Sequence, residues 1–264
     1  MKVIRKRFEG ALISGLRRLP MVSFYAGTRG WYFIVSWCHR ITGILLVLMV
    51  LFHIYLFKPT PDSGKFFLIM LFQWVLSIPV IFHAFNGARL IQYECCGRRD
   101  DENMLRWVFS LLFVFILLLA LFMIMGGQRV SPFFYWMLMS AAALVAGYAV
   151  GARIWNTRHS VFWKLQRMSG AFLLVMIPAY ILFMHIHPVA NARANIIMSG
   201  VQSLTLKTIY LLLLFATLSH GGYGAWSVVS DYVSSQTLRK VLIVAGTFLF
   251  LVFLWIGLKI VMRI

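Results

Sequence analysis

Seven apolar stretches alternate with short polar segments along the chain. They cover roughly residues 31–57, 66–93, 105–126, 132–152, 161–186, 206–230 and 240–261. A transmembrane helix needs about 20 predominantly apolar residues to cross a hydrocarbon core of roughly 30 Å. The pattern therefore predicts an all-α integral membrane protein with about seven transmembrane helices.

Composition and charge support this prediction and indicate an orientation. The chain is 61% apolar and 12% charged, and so few charges cannot cover a soluble core. With a cytoplasmic N-terminus, 18 of the 25 Lys and Arg fall on the inner side and 7 on the outer side, as the positive-inside rule requires. We expect a multi-pass protein of the bacterial cytoplasmic membrane. The net charge of +18 then indicates topology and attraction to anionic lipids, not nucleic-acid binding.

A composite motif, Arg-x-(Ser/Thr)-Gly followed by His-x-x-x-Gly, occurs twice. The copies comprise Arg40, Thr42, Gly43, His83 and Gly87, and then Arg167, Ser169, Gly170, His220 and Gly224. Residues four apart lie on one helix face, so each Gly clears space beside its His for a flat ligand. Two such helices facing each other would offer two imidazoles to one metal. This is the arrangement that a bis-histidine haem needs.

The repeat also predicts how the chain is divided. The copies begin 127 residues apart, and an odd number of spans in the first half would leave the second half inverted. A fourth span without His restores the orientation. We predict a cytoplasmic amphipathic segment (1–30), a first three-helix half (31–126), a linker transmembrane helix (127–153) and a second three-helix half (154–264). The alternative is seven unrelated helices with a chance motif.

The depths of two histidines favour a shared metal. His83 lies six residues from Arg89, about 9 Å from the inner boundary. His220 lies thirteen residues from Lys207, about 20 Å from the outer boundary. In a core of roughly 30 Å these depths coincide. Intramembrane ionisable residues are usually functional, although separate hydrogen-bonded structural roles are the alternative.

His53 and His185 form a candidate second metal pair near the outer side. His53 is about 7 Å below the outer edge and His185 about 27 Å above the inner edge, so their depths differ by several ångströms. Pro178 can kink its helix and shift that estimate. His187 is an alternative ligand closer to water.

Polar residues collect at the inner ends of the spans. His39, Arg40 and Arg167 are candidates to bind haem propionates, because Arg suits bidentate carboxylate contacts. Ser36, Arg40, Asp231 and Tyr232 make a plausible pocket for a quinone head group, whose carbonyls need donors. The simpler alternative is a set of ordinary interfacial anchors.

These segments resemble a known family. The run Ser36-Trp-Cys-His-Arg-Ile-Thr-Gly43 resembles the start of the larger cytochrome b anchor of succinate dehydrogenases. The segment from His83 to Arg89 resembles the haem-ligand helix of that subunit, and the segment from His220 to Tyr232 resembles the ligand helix of the smaller anchor. The chain thus resembles a fusion of the two anchors.

The resemblance implies the roles of these residues. It implies that His83 and His220 ligate an inner haem b, that Ser36, Arg40 and Tyr232 bind quinone with Asp231 supporting Tyr232, and that His39, Arg40 and Arg167 lie near the propionates. In di-haem members the outer haem takes ligands from the first helix of each half, here His53 and His185. FAD and iron–sulfur clusters would belong to flavoprotein and iron–sulfur partner subunits, since this chain has no succinate-oxidising site. The alternatives are a quinol:fumarate reductase anchor and a haem-free anchor or transporter.

Overall fold

Helices account for nearly all of the structure. The computed structural model describes residues 31–56, 63–97, 101–125, 132–186 and 204–263. Within these ranges there are seven α-helices and no strands: α1 Trp31–Leu56, α2 Ser63–Cys96, α3 Asp101–Met125, α4 Pro132–Ile154, α5 Val161–Ile186, α6 Leu204–Tyr232 and α7 Gln236–Arg263. The predicted all-α architecture is confirmed, and each predicted span corresponds to one helix. The predicted amphipathic segment, residues 1–30, lies outside the described residues.

The helix surfaces are those of a membrane protein. Five helices have described segments long and apolar enough to cross a bilayer: Leu71–Cys95, Asn103–Ile124, Phe134–Ile154, Val161–Phe183 and Gln236–Met262. In α1 the corresponding apolar segment is the shorter Phe33–Val47. Helix α6 has the length, but His220 and three nearby glycines lower its hydropathy. Large apolar side chains are exposed along most helices, which indicates contact with lipid because soluble proteins rarely expose such extensive apolar surface.

Four helices form the inner part of the bundle. Helix α1 packs on α2, α2 on α5, α5 on α6, and α6 on α1. The remaining helices lie outside this ring: α3 packs on α2 and α5, α4 mainly on α5, and α7 on α6. The first helix of each half therefore contacts the second helix of both halves. This arrangement brings the two copies of the sequence motif to one place.

Two apolar clusters hold the outer helices α3 and α4 against the ring. One joins α4, α5 and α6 through buried side chains that include Trp136, Phe172 and Met176. The other joins α2 to α3 through Ile81, Phe115 and Leu119. In lipid, such close van der Waals packing provides much of the association between helices.

The helix ends near the motifs have recognisable caps. Helix α2 is followed by Gly97 at a φ of 62°, the left-handed conformation that glycine adopts readily after a helix. At the start of α5, the backbone N–H of Trp163 donates to the Ser160 hydroxyl at 3.3 Å. At the start of α7, the N–H of Leu238 donates to the Ser235 hydroxyl at 3.4 Å. These serines satisfy N–H groups that have no partner within their helices.

Candidate functional site

Three histidines from three helices of the inner ring meet near the predicted cytoplasmic end. The ring centroids of His83 on α2 and His220 on α6 are 6.2 Å apart, and the ring planes are nearly perpendicular, at 87°. His39 on α1 stacks on His83, with centroids 3.9 Å apart and planes 10° apart. The structure thus brings together the two histidines that the sequence assigns to one metal.

His83 is oriented by the first Arg-x-(Ser/Thr)-Gly motif. Its Nδ1 lies 3.0 Å from the backbone oxygen of His39. A carbonyl oxygen can only accept, so Nδ1 must carry the hydrogen and donate it. A Cβ atom on Gly43 would lie 3.0 Å from Cε1 of this ring. The glycine therefore allows the imidazole to approach the backbone of α1 closely.

His220 is held in the same way by the second motif. Its Nδ1 donates to the backbone oxygen of Gln166 at 3.1 Å, and a Cβ on Gly170 would lie 3.0 Å from its Cε1. In both copies the accepting carbonyl stands four residues before the motif glycine. The two motifs of each half are therefore parts of one structural unit. This equivalence supports an internal repeat over chance.

The glycines on the histidine helices have other neighbours than the sequence suggests. The expectation is that Gly87 and Gly224 clear space beside His83 and His220 on their own helices. A Cβ at Gly87 would instead lie 3.3 Å from Cε1 of His39, and one at Gly224 would lie 3.4 Å from Nε2 of Gln166. The reason is that helix packing places a side chain of the adjacent helix against each bare position.

The donor set fits a bis-histidine haem. Because Nδ1 carries the hydrogen in both rings, the Nε2 lone pair of each is left to bind a metal. The ring centroids of His83 and His220 are 6.2 Å apart, so the two rings would be near enough to hold one metal through these nitrogens. Among the described residues, no group of three or more His, Cys, Asp or Glu could hold a metal ion. Two imidazoles suit a porphyrin, which supplies the other ligands itself.

The buried Nδ1 of His39 is a further polar atom at this site. Within the described part of the chain it has no hydrogen-bond partner. Buried polar atoms normally have one. The predicted role of His39 beside a haem propionate would give it an acceptor or donor, and that role stays a prediction.

The predicted quinone residues Arg40, Asp231 and Tyr232 lie together at the predicted cytoplasmic end. Nη1 of Arg40 donates to the Tyr232 hydroxyl at 2.5 Å, and its Nη2 lies 3.5 Å from Oδ2 of Asp231. The side chains of Arg40 and Asp231 are 43% and 48% exposed, so a ligand could reach them. Ser36 is partly buried one turn before Arg40 on α1.

Arg167 contacts a residue that the sequence prediction did not include. Its Nη2 donates to Oε1 of Glu94 on α2 at 2.7 Å, and its Nε donates to Oε2 of the same carboxylate. A signal for Glu94 was present in the sequence, because it stands eleven residues after His83, as Asp231 stands eleven residues after His220. The predicted contact of Arg167 with a propionate stays a prediction.

The sequence analysis also missed a buried polar ladder on α2, which Asn86 and Arg89 form. Asn86 is fully buried and Arg89 is 3% exposed. Nε of Arg89 donates to Oδ1 of Asn86 at 2.8 Å, and Nδ2 of Asn86 donates to the backbone oxygen of Val35 on α1 at 3.4 Å. The spacing of three residues places both side chains on one face. The ladder ties α2 to α1 beside the histidines.

The predicted outer pair falls where side chains are not described. His53 lies near the end of α1 and His185 near the end of α5, but their side chains, like the whole of His187, lie outside the described part. The choice of outer ligand therefore stays a prediction.

Comparison with known families matches the first half. Residues 31–122 match the family of the succinate dehydrogenase/fumarate reductase transmembrane subunit. This segment contains α1, α2 and most of α3, with His39, Arg40, His83 and Glu94. Comparisons with curated proteins and with solved structures found no significant match.

Proposed function

We propose that the chain is the haem b-containing membrane anchor of a succinate:quinone oxidoreductase, because residues 31–122 match the succinate dehydrogenase/fumarate reductase transmembrane subunit family. In this proposal an iron–sulfur and a flavoprotein subunit dock at its cytoplasmic side, and electrons pass through the anchor region to membrane quinone. The family description names both succinate dehydrogenase and fumarate reductase. A quinol:fumarate reductase anchor is thus the same proposal with the reaction reversed.

One observation carries the haem assignment. His83 and His220 donate from Nδ1 to the backbone carbonyls of His39 and Gln166 at 3.0 and 3.1 Å. A histidine that binds iron through Nε2 needs that nitrogen unprotonated and directed towards the metal. A hydrogen bond donated by Nδ1 fixes this tautomer and the orientation of the ring. The two histidines lie in separate copies of the motif and share this arrangement, which supports a common role as ligands to one iron.

The chemistry divides between the cofactor and the chain. When bound, haem b supplies a one-electron acceptor and donor between the iron–sulfur partner and quinone. The chain holds the two imidazoles and offers Arg40, Asp231 and Tyr232 to the quinone. The Tyr232 oxygen accepts from Arg40, so its own hydrogen remains available to donate to a quinone carbonyl. Asp231, 3.5 Å from Arg40, helps to hold the guanidinium in place.

A second, outer haem is part of the proposal, with His53 and His185 as ligands. His53 stands fourteen residues beyond His39 on α1, a rise of about 21 Å. His185 stands nineteen residues beyond Gln166, the equivalent of His39 in the second half, a rise of about 28 Å on α5. The two heights differ by about 7 Å, in the same direction as the depths estimated from the flanking charges. Pro178 lies within α5, and a kink there would reduce this difference.

The test is the haem content of the purified complex, expressed with its partner subunits. We expect a reduced-minus-oxidised spectrum of b type, and loss of the inner haem signal in both His83→Ala and His220→Ala. His159→Ala is the matched control, because His159 lies in the exposed α4–α5 connection, stacked on Trp163 at 4.0 Å. Absence of any b-type haem from the unmodified complex would refute the haem assignment. If the complex holds one haem per chain and His53→Ala retains all of it, His53 and His185 do not bind a second haem.

A further inference from the structure

Each histidine helix carries an acid on the same face as its histidine. Eleven residues make just over three helical turns, so residues at this spacing lie in one line about 16 Å apart. On α2 the line begins at His83 and ends at Glu94, and on α6 it begins at His220 and ends at Asp231. The repeat therefore has a third component, an acid near the predicted cytoplasmic end.

The arginine of each half pairs with the acid of the other half. Arg40 of the first half lies 3.5 Å from Asp231 of the second. Arg167 of the second half donates twice to Glu94 of the first. These pairs connect α1 to α6 and α2 to α5, which are the two contacts between halves in the inner ring.

The two pairs differ in geometry, and the difference indicates different uses. The Arg40 pair touches through one nitrogen and leaves both side chains about half exposed. The Arg167 pair is bidentate, with side chains 20% and 34% exposed, and the ring of Trp163 lies 4.8 Å from the guanidinium. Bidentate arginine–carboxylate pairs add geometric specificity as well as energy. The first site is open to a ligand, whereas the second is closed by its own carboxylate.

The closed pair, Arg167 and Glu94, is connected to His220 through Gln166. Nη1 of Arg167 donates to the Gln166 side-chain oxygen at 2.6 Å, which leaves the Gln166 amide nitrogen facing Gly224 on α6. The backbone oxygen of the same Gln166 accepts from Nδ1 of His220. A continuous set of contacts therefore runs from Glu94 through Arg167 and Gln166 to the imidazole.

We propose that Glu94 is a positioning residue for the haem ligand His220, acting through Arg167 and Gln166. The proposal rests on the haem assignment above. Glu94 holds α5 against α2, the helix that carries the other ligand, and so sets the position of the carbonyl that orients His220. Arg167 links the two parts of this clamp through its contacts with Glu94 and Gln166. The helix that bears one ligand thereby aligns the other.

Two variants of the full complex test this role. Glu94→Gln keeps the size of the side chain but loses the charge, while Glu94→Asp keeps the charge. Changes in the shell around metal ligands cost about 10–100-fold in metal affinity, and Glu94 acts two contacts further out, beyond Gln166 and Arg167. We expect Glu94→Gln to accelerate haem loss to apomyoglobin by about three- to tenfold and to broaden the low-spin bis-histidine signal in electron paramagnetic resonance. Glu94→Asp should recover part of both changes.

The control and the refuting results are specific. Lys164→Gln removes a cation one turn earlier on α5, where Nζ donates to the Trp155 backbone oxygen, and should leave both haem readouts unchanged. The proposal would be overturned if Glu94→Gln left the rate of haem loss and the resonance spectrum unchanged. It would also be overturned if Lys164→Gln changed both readouts as much as Glu94→Gln does.

A measurement that needs no haem separates this inference from the haem assignment. In a double-mutant cycle of Glu94→Gln and Arg167→Gln, followed by thermal unfolding of the full chain in detergent, the clamp predicts that the second change costs little once the first is present. Additive losses would overturn the clamp even in a protein that holds haem. An unmodified complex without haem, but with non-additive losses, would refute the haem assignment and leave the clamp standing.

Discussion

Replacing Gly170 with Ala tests most directly how a motif glycine seats its histidine. The new Cβ would lie 3.0 Å from Cε1 and 3.2 Å from Nδ1 of His220, and 3.5 Å from Cδ1 of Ile91. Favourable contacts between carbon atoms lie at about 3.5–4.0 Å. The imidazole must therefore retreat by roughly 0.5–1 Å, or α6 must move away from α5.

The cost of this retreat can be estimated from its parts. Overpacking of this kind costs about 1–3 kcal/mol, and weakening the 3.1 Å bond from His220 to Gln166 adds about 0.5–1.5 kcal/mol. Ala recovers about 0.5–1 kcal/mol of helix stability relative to Gly. The sum is a net loss of about 0.5–4 kcal/mol, and a loss in the middle of this range, about 2 kcal/mol, corresponds to a decrease of about 30-fold in haem affinity.

The assay compares haem affinity and the reduced spectrum across three glycine variants of the full complex. Gly221→Ala is the control, because it adjoins His220 on the same helix but a Cβ there would meet nothing within 4 Å. Gly43→Ala makes the equivalent change against His83, where Nδ1 would be 3.6 Å away. We expect Gly170→Ala to lose the most haem, Gly43→Ala less, and Gly221→Ala none. Equal haem affinity in Gly170→Ala and Gly221→Ala would refute the proposed seating.

Two further predictions concern the quinone pocket and the polar ladder. Tyr232→Phe removes the acceptor of Arg40 and a hydrogen-bond donor to quinone. The KM for a soluble quinone should therefore rise by a few-fold to about tenfold, while haem content stays unchanged. An unaltered KM would exclude Tyr232 from the pocket. Asn86→Leu removes the side-chain oxygen that accepts from Nε of the buried Arg89 at 2.8 Å. The free energy of unfolding should therefore fall by about 1–3 kcal/mol, as measured by thermal unfolding in detergent. An unchanged melting temperature would contradict the structural role of the ladder.

The sequence predicted the helices well because a bilayer imposes a simple rule on them. Backbone groups within lipid must be satisfied internally, so each apolar stretch of sufficient length becomes a helix. The same regular rise made the depth of His83 and His220 calculable from the nearest charges. Both histidines accordingly lie within contact of one another, with centroids 6.2 Å apart.

Contacts between helices were less predictable from sequence. Periodicity identifies which residues share a face of one helix, but not which residue of a neighbouring helix meets that face. For this reason the sequence paired His83 with Gly87 on its own helix, whereas its ring lies against Gly43 of α1. Glu94 was missed for a related reason. Its spacing from His83 becomes informative only when the equivalent spacing in α6 is compared.

The extra membrane crossing predicted for α4, as a linker between the halves, accounts for both arginine–acid pairs at the same end of the bundle. Arg40 near the start of α1 meets Asp231 at the end of α6, and Arg167 near the start of α5 meets Glu94 near the end of α2. Both contacts require that the two halves cross the membrane in the same direction. Three helices alone would invert the second half. Helix α4 supplies the extra crossing and then packs on α5, with contacts also to α6 and α2. It fixes the orientation and position of the second half, so that His220 approaches His83 while Asp231 approaches Arg40.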